Sequence, residues 1–243
     1  MNYEIFGDDM QYVDFTLQSG ESVLGEPGAM MCKDTGVRME ALFGAGKSQG
    51  FFKKLFGAGK RVLTGENMFL TGFENEYDVP QRIAFSAPYP GKVIPLDLSA
   101  LGGEIVCQKD SFLCAAGDID IGVYFQKKIF TALFGGAGFI MQRLHGDGVV
   151  FVNAGGTIKE VTLQPMQKIQ ADAGCLIGFQ PSVGFEIVGA GNLKTQLLGG
   201  AGLFLANLTG PGKVWLQSLP FARLASRFLR TPAFQNRIQG ARA

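Results

Sequence analysis

The 243-residue chain has one histidine, one tryptophan and ten prolines, and its four cysteines show no Cys-x-x-Cys spacing. Each scarcity excludes something. A metal-dependent β-barrel enzyme of the cupin type groups several imidazoles with a carboxylate, because those nitrogens suit iron, zinc and copper. His145 alone cannot supply such a set. Cys32, Cys107, Cys114 and Cys175 sit in apolar runs and read as buried free thiols, which points to a reducing compartment. Charged residues make up 18% of the chain, against about a quarter in ordinary proteins, which argues against disorder. A formal net charge of +1 provides no long-range field to gather nucleic acid. The amino terminus, Met1 to Asp9, carries acids where a signal peptide needs a basic and then an apolar region, so no secretion signal is expected. The longest uncharged stretch, Thr195 to Gly212, is rich in glycine and interrupted by Thr, Gln and Asn. A spanning helix needs about 20 predominantly apolar residues, so this stretch reads instead as strand–turn–strand.

What the chain does have is glycine, 35 residues of it, and 47% hydrophobic residues, enough for extensive burial that extends to a subunit interface. The glycines punctuate a recurring pattern. Residues 133–152 run from an apolar Leu-Phe-Gly-Gly-Ala-Gly turn through a Gly-x-Gly turn at 146–148 into Val-Val-Phe-Val; 197–216 repeat it and 55–70 give a shorter version. An upstream half-unit recurs too. Gly20-Glu-Ser-Val23 resembles Gly103-Glu-Ile-Val106, and Ala29-Met-Met-Cys32 resembles Ser111-Phe-Leu-Cys114, with a fainter copy through Gly174-Cys175-Leu176-Ile177. Aligned independently, Met30, Phe112 and Cys175 and then Gly65, Gly146 and Gly210 give nearly the same offsets. The expectation is an all-β fold of three internally repeated units, β-sandwich or double-stranded β-helix in character, with a short C-terminal helix. The units are placed at 1–80, 81–163 and 164–220, with a basic tail at 221–243. Met10 to Leu17 reads as the first clear strand. An extra hairpin over Gln81–Leu96, turning at Pro88 and Pro90, accounts for the longer first period. A unit this small buries only about 60% of its unfolded surface, so the three are expected to share a core as one domain.

The tail differs in kind. Ser218 is positioned to cap a helix with Pro220 near its first turn, and Pro232 stops it. Phe221, Leu224, Ala225 and Phe228 share one face, with Arg223, Arg227 and Arg230 on another. So short a helix is marginal unless its apolar face is covered, by the body of the protein, a neighbour or a membrane. Residues 221–243 carry five Arg and no acid.

Motifs that imitate catalysis are weak. Gly44-Ala-Gly-Lys-Ser48 resembles the end of a P-loop, but Ala41 stands where the pattern needs its first glycine, and the near-duplicate Gly57-Ala-Gly-Lys60 ends in Arg61. Gly46-Lys-Ser-Gln-Gly50 matches a nucleophile elbow without the α/β context that makes one. His145, read as lying in a turn beside Asp147, is expected to be structural or exposed. Glu74 with Glu76, and Asp118 with Asp120, each share a strand face and read as solvated carboxylates. The segment 51–61 is the most unusual surface candidate: Phe51, Phe52, Lys53, Lys54, Lys60 and Arg61 interleave rings and cations. It suits an anionic bilayer or stacked bases, or else a core whose edge is guarded by lysine. With Arg223, Arg227 and Arg230 it forms the candidate membrane or partner surface.

Val13-x-Phe15-x-Leu17, Gly20-Glu-Ser-Val23, Glu26-Pro-Gly-Ala-Met-Met31 and the Leu-Phe-Gly-Ala-Gly turn followed by Gly65-Glu66 together resemble the mitochondrial-biogenesis family called "altered inheritance of mitochondria" proteins. The resemblance runs through Pro220. It implies a fold similar to the tryptophan RNA-binding attenuation protein, three such units per chain and a homotrimeric ring of nine. It carries over no catalytic residue. Its implications are a non-enzymatic scaffold or assembly protein without a cofactor, cytoplasmic and peripheral to a membrane. The alternative is a ligand- or RNA-binding module using clefts between units, with nucleic acid disfavoured by the charge balance.

Overall fold

The computed structural model of the chain describes residues 1–43, 63–64, 69–127, 138–189, 204–229 and 231. Strands alternate with tight turns almost from the first residue. β1 (Asn2–Phe6) pairs with β2 (Tyr12–Leu17), whose inward residues Val13, Phe15 and Leu17 are fully buried. The period-two alternation of apolar residues in this stretch is what a half-buried strand requires. Met10 lies just outside β2, in a bridge to Gly91. Next come β3 (Ser22–Gly25), β4 (Met30–Lys33), β5 (Val37–Phe43), β6 (Leu63–Thr64), β7 (Phe69–Asn75), β8 (Gln81–Ser86), β9 (Gly91–Asp97) and β10 (Glu104–Gln108). Two long strands, β11 (Phe112–Lys127) and β12 (Phe139–Gly155), form the centre. β13 (Ile158–Leu163), β14 (Lys168–Asp172), β15 (Leu176–Phe179), β16 (Gly184–Gly189), β17 (Phe204–Thr209) and β18 (Gly212–Gln217) precede a C-terminal helix, α1 (Phe221–Leu229), the one α-helix among the described residues. The fold is thus mostly β, as the glycine-punctuated pattern predicts; its sheets are antiparallel, and one short C-terminal helix follows, as the apolar period at 221–228 predicts.

The described strands form three sheets. The largest runs β13-β18-β15-β10-β12-β11-β3-β7-β5, with β6 beside β11 and β9 beside β12; a four-stranded sheet runs β1-β2-β8-β4, and a three-stranded one β14-β17-β16. Alternation along β12 shows how they stack. Leu144, Val150, Val152 and Ala154 point to a core made almost wholly of large-sheet residues, among them Leu24, Leu70, Ile105, Ile119, Ile177 and Trp215. The large sheet therefore curls and packs one face against itself. On the opposite face, Phe139 and Met141 meet Ala206 and Leu208 of the small sheet, whereas Phe151 meets Phe15 and Phe85 of the four-stranded one. Two small sheets thus cap the two ends of one face. Phe151 sits edge-on to Phe15 with ring centroids 5.0 Å apart and to Tyr3 at 4.8 Å. Such pairs add about 0.5–1.5 kcal/mol each beyond area burial.

The expected Gly-x-Gly turn at 146–148 is not a turn. Gly146 and Gly148 lie mid-strand in β12, where Gly117 faces Gly148 and Ile119 faces Gly146. At this point both long strands change partners: β12 leaves β10 after His145 and joins β9 from Val149, while β11 leaves β3 after Ala116 and meets β6 at Ile121. Gly117 (φ +103°) and Gly146 (φ +142°) take backbone angles closed to other residues, and a Cβ at either would press on the carbonyl oxygen of the opposing strand. The Leu98–Gly103 turn clasps the crossover, with Leu98 N–H donating to the Gly148 carbonyl at 3.0 Å and Gly146 N–H to that of Gly103 at 3.0 Å.

The expected Gln81–Leu96 hairpin is also absent. β8 pairs with β2 and β4 in one sheet, whereas β9 pairs with β12 in another. Pro88 and Pro90 therefore mark a crossover between sheets, where the chain has no ladder partner to lose. The same holds for β17 and β18. Local turn signals announce a reversal of direction but not which strands the chain will pair with afterwards.

Gly146→Ala is expected to destabilise the protein by more than about 1 kcal/mol, because alanine cannot reach this angle without strain. Gly184→Ala, whose Cβ would meet Thr209 at an ordinary 3.5 Å, should leave stability within about 0.5 kcal/mol. Urea midpoints compare the two; equal midpoints would mean that the crossover imposes no constraint.

Candidate functional site

The C-terminal helix is only partly enclosed. The chain enters it from β18 through Ser218, whose hydroxyl accepts from Thr157 N–H at 2.9 Å and so ties the tail to the body rather than capping the helix. The Pro220 carbonyl accepts from the N–H groups of Arg223 and Leu224 instead. Phe221 stacks on Tyr89 with centroids 5.4 Å apart, yet remains half exposed. Phe228 is 63% exposed, so the helix's apolar face is only partly covered. Arg223 bridges to Asp172 Oδ2 at 3.1 Å and reaches Cys175 Sγ at 3.3 Å. Partial burial pulls its pKa down, but the neighbouring thiol and carboxylate together outweigh that and raise it, and burial with Asp172 nearby pushes the Cys175 thiol up. Arg223 therefore fastens the helix to β14, while Arg227 is exposed. Arg230 lies outside the described residues, as do Phe51, Phe52, Lys53, Lys54, Lys60 and Arg61 and both glycine-loop motifs at 44–50.

Beneath the start of the helix lies a small pocket that sequence reading missed. Tyr89, Asp110, Ser111, Gly174, Gln217 and Phe221 enclose it. Beside it, Glu26 is pushed up to about 7 by burial, although Lys109 Nζ at 3.9 Å pulls the other way and Asp110 adds to the rise. Burial raises Asp110 as well. Glu26 is visible in the sequence only as part of a Glu-Pro-Gly turn. Its environment comes from packing beside β11, where its N–H donates to the Leu113 carbonyl at 2.9 Å.

Between the two capping sheets, the outward face of β12 is polar. His145 is exposed, and it lies within a strand rather than in the expected turn, directly opposite Glu104 on one side and Asp120 on the other. Arg143 Nε lies 3.0 Å from Glu104 and its guanidinium sits 5.4 Å from the centre of the Tyr124 ring. Asp147 faces Asp118 and accepts from the Ser99 hydroxyl at 3.2 Å. This is a mixed-charge strip in which the expected solvated pair Asp118 and Asp120 takes part. The other pair divides: Glu76 bonds Arg38 at 3.0 Å, but Glu74 is buried and its pKa rises for that reason. Cys107 and Cys114 are buried as expected, with Cys107 more than nine-tenths enclosed, but Cys32 is exposed on β4 and Cys175 only half-buried. Among the described residues no group of three or more His, Cys, Asp or Glu side chains could hold a metal ion, and no helix is long and apolar enough to cross a membrane.

A cleft of about 490 Å³ opens where β1 passes the glycine crossover, lined by Met1, Tyr3, Glu21, Gly117, Asp118 and Gly148 among others. The terminal amine lies 3.2 Å from Glu21. Several apolar side chains are also left in solvent, including Met31 on β4, Met166 in the turn before β14, and Met10.

Glu26 gives a pH signature. Its folded pKa lies above the ordinary carboxyl value, so the folded state holds the proton longer and loses stability as pH rises from about 4.5 through 7. Glu26→Gln should therefore raise the urea midpoint at pH 8 relative to the parent and leave it unchanged at pH 4. A gain of the same size at both pH values would exclude titration as its source.

Comparison with known proteins places these features in a family. The chain is 26% identical over 223 residues to an uncharacterized protein of Streptococcus pyogenes serotype M6, covering 90% of this chain and 87% of the relative. Its fold is similar to the crystal structure of a Streptococcus pyogenes protein, with a TM-score of 0.73 at 21% identity over 94% of this chain and 98% of the other. The family model described as mitochondrial biogenesis AIM24 matches residues 3–219, from β1 to the entry of the C-terminal helix, and the chain belongs to that family.

Proposed function

We propose that this chain is a non-enzymatic, self-associating assembly protein made of three repeated β units, with three copies closing a nine-unit ring like that of the tryptophan RNA-binding attenuation protein. The observation that carries the reading is one pairing scheme met three times. β8 lies between β2 and β4; the second half of β12 lies between β9 and the first half of β11; β18 lies between β13 and β15. Likewise β7 lies between β3 and β5, the first half of β12 between β10 and the second half of β11, and β17 between β14 and β16. Even the irregularities correspond: register shifts fall between Met30 and Cys32, Phe112 and Cys114, and Leu176 and Gly178. Under this scheme the third counterpart of Met30 is Leu176 rather than Cys175, and β8 belongs to the first unit, whose boundary moves from residue 80 to beyond Ser86.

The half-covered helix supports a place beside a membrane, with Phe228 and Arg227 both exposed and further arginines following. Rings and cations on one short helix suit the interface of an anionic bilayer. The cleft beside Met1 favours a second reading, a small-molecule site; its Glu21 and Asp118 carboxylates oppose a nucleic-acid backbone.

Light scattering is expected to return three times the chain mass, and liposomes containing anionic lipid should float the full chain but not one ending at Pro220. A single-chain mass at every concentration would remove the assembly, and no flotation of the full chain would remove the membrane contact.

A further inference from the structure

The ladders that align the three units also align single side chains. Phe85 faces Met30, Val152 faces Phe112 and Leu216 faces Leu176. The residues that follow, Ser86, Asn153 and Gln217, therefore stand at one position of the repeat. In the third unit this position is a strut. Gln217 Nε2 donates to the Gly174 carbonyl at 3.0 Å, and Gln217 Oε1 accepts from Gly155 N–H at 2.8 Å. One amide thus ties its own unit to the end of β12.

In the second unit the same strut has no direct route. Asparagine is one methylene shorter than glutamine. The counterpart of the Gly174 carbonyl is that of Asp110, two residues before Phe112, and it accepts from the Tyr89 hydroxyl at a long 3.4 Å. The counterpart of Gly155 N–H falls at Pro88, which has none. Asn153 is nevertheless buried, at 3% exposure, and among the described residues neither its Nδ2 nor its Oδ1 has a hydrogen-bond partner. Burial raises the pKa of Tyr89, and the nearby Asn153 amide offsets part of that rise. Continuing the register of β11 and β12 places Ser111 across from Asn153. Ser111 is 1% exposed, and its Oγ has no partner either. Buried polar atoms left this way are costly unless something satisfies them.

The space for an occupant is present. Tyr89 and Ser111, the two neighbours of Asn153, both line the pocket beneath α1, and Phe221 and Ala222 line it from the helix. Its volume of about 20 Å³ admits one water and little else. Chemistry narrows the choice further. The occupant has to accept from Nδ2 and donate to Oδ1. A metal ion or ammonium cannot accept, and a halide cannot donate.

We propose that this pocket is a binding site for a single water molecule, which bridges the Asn153 amide to Ser111 Oγ and completes in the second unit the strut that Gln217 makes in the third. The inference rests on the repeat reading above and adds to it a bound ligand at one junction.

A crystal structure of the full chain that resolves ordered solvent should show one peak within about 3.2 Å of both Ser111 Oγ and an atom of the Asn153 amide. In solution, the Asn153 side-chain protons should cross-relax with a water that stays longer than the protein takes to tumble. An empty pocket, or Ser111 bonded directly to Asn153, overturns the site. Asn153→Gln tests the correspondence between units. The longer amide should reach the Asp110 carbonyl as Gln217 reaches that of Gly174, expel the solvent peak and leave the urea midpoint no lower than the parent's. A peak that persists in this variant, or a lowered midpoint, counts against the correspondence, while the parent's solvent peak decides the site by itself. Neither result depends on the mass of the assembly, so failure of self-association and failure of this site read out separately.

Discussion

The antiparallel ribbon of β11 and β12 is the constraint from which the rest of the architecture follows. Each strand is long enough to belong to two neighbourhoods, and each changes partners within a few residues of Gly117, Gly146 and Gly148. The two backbones lie too close here to carry side chains, because the opposing carbonyl oxygens occupy the space a Cβ would need. Glycine lets the two backbones approach and the ribbon turn. The large sheet then curls enough to bury one face against itself, and the other face is left with two separate platforms for the smaller sheets.

That division explains the distribution of polar groups. Where the capping sheets sit, the outer face of β12 is Phe139 and Met141 at one end and Val149 and Phe151 at the other; between them it is Arg143, His145 and Asp147. The lone histidine is thus a surface residue in the gap between two cores, flanked by Glu104 and Asp120 on neighbouring strands. Opposite charges side by side on a sheet offset part of one another's cost, whereas Asp118 facing Asp147 does not, and the Ser99 hydroxyl that bonds Asp147 eases that contact. Elsewhere desolvation raises the pKa of Glu26, Glu74 and Asp110, of which Glu74 is the fully buried one. None of these positions forms a compact catalytic constellation with a nucleophile among the described residues, and the chain's distinctive surfaces are strand edges and a half-covered helix.

Much of the fold was legible in residue order because strands obey a short-range rule. Val13, Phe15 and Leu17 alternate with polar neighbours and are buried; Phe221, Leu224, Ala225 and Phe228 follow a helical period and form a helix. Turn chemistry misleads about pairing. Proline at 88 and 90 and glycine at 146 and 148 read as hairpin and turn signals because those residues usually mark them, yet a turn residue carries no information about the sheet a strand will join. Ser218 has the chemistry of a helix cap but spends its oxygen on Thr157. Cys32 looks like its buried counterpart Cys114, and differs because β4 has no outer neighbour among the described residues while the start of β11 has β3.

By itself, the sequence determined the class of the molecule: a β protein with too few histidines for a histidine-rich metal centre and with a short helix near its C-terminal end, since composition and short-range periodicity depend only on nearby positions. The tertiary structure alone decided which strands share a ladder, where the glycine crossover bends the central ribbon, that Glu26 is desolvated and that Arg223 is spent on Asp172. Those outcomes depend on groups tens of residues apart coming within a few ångströms, and no local pattern encodes that distance.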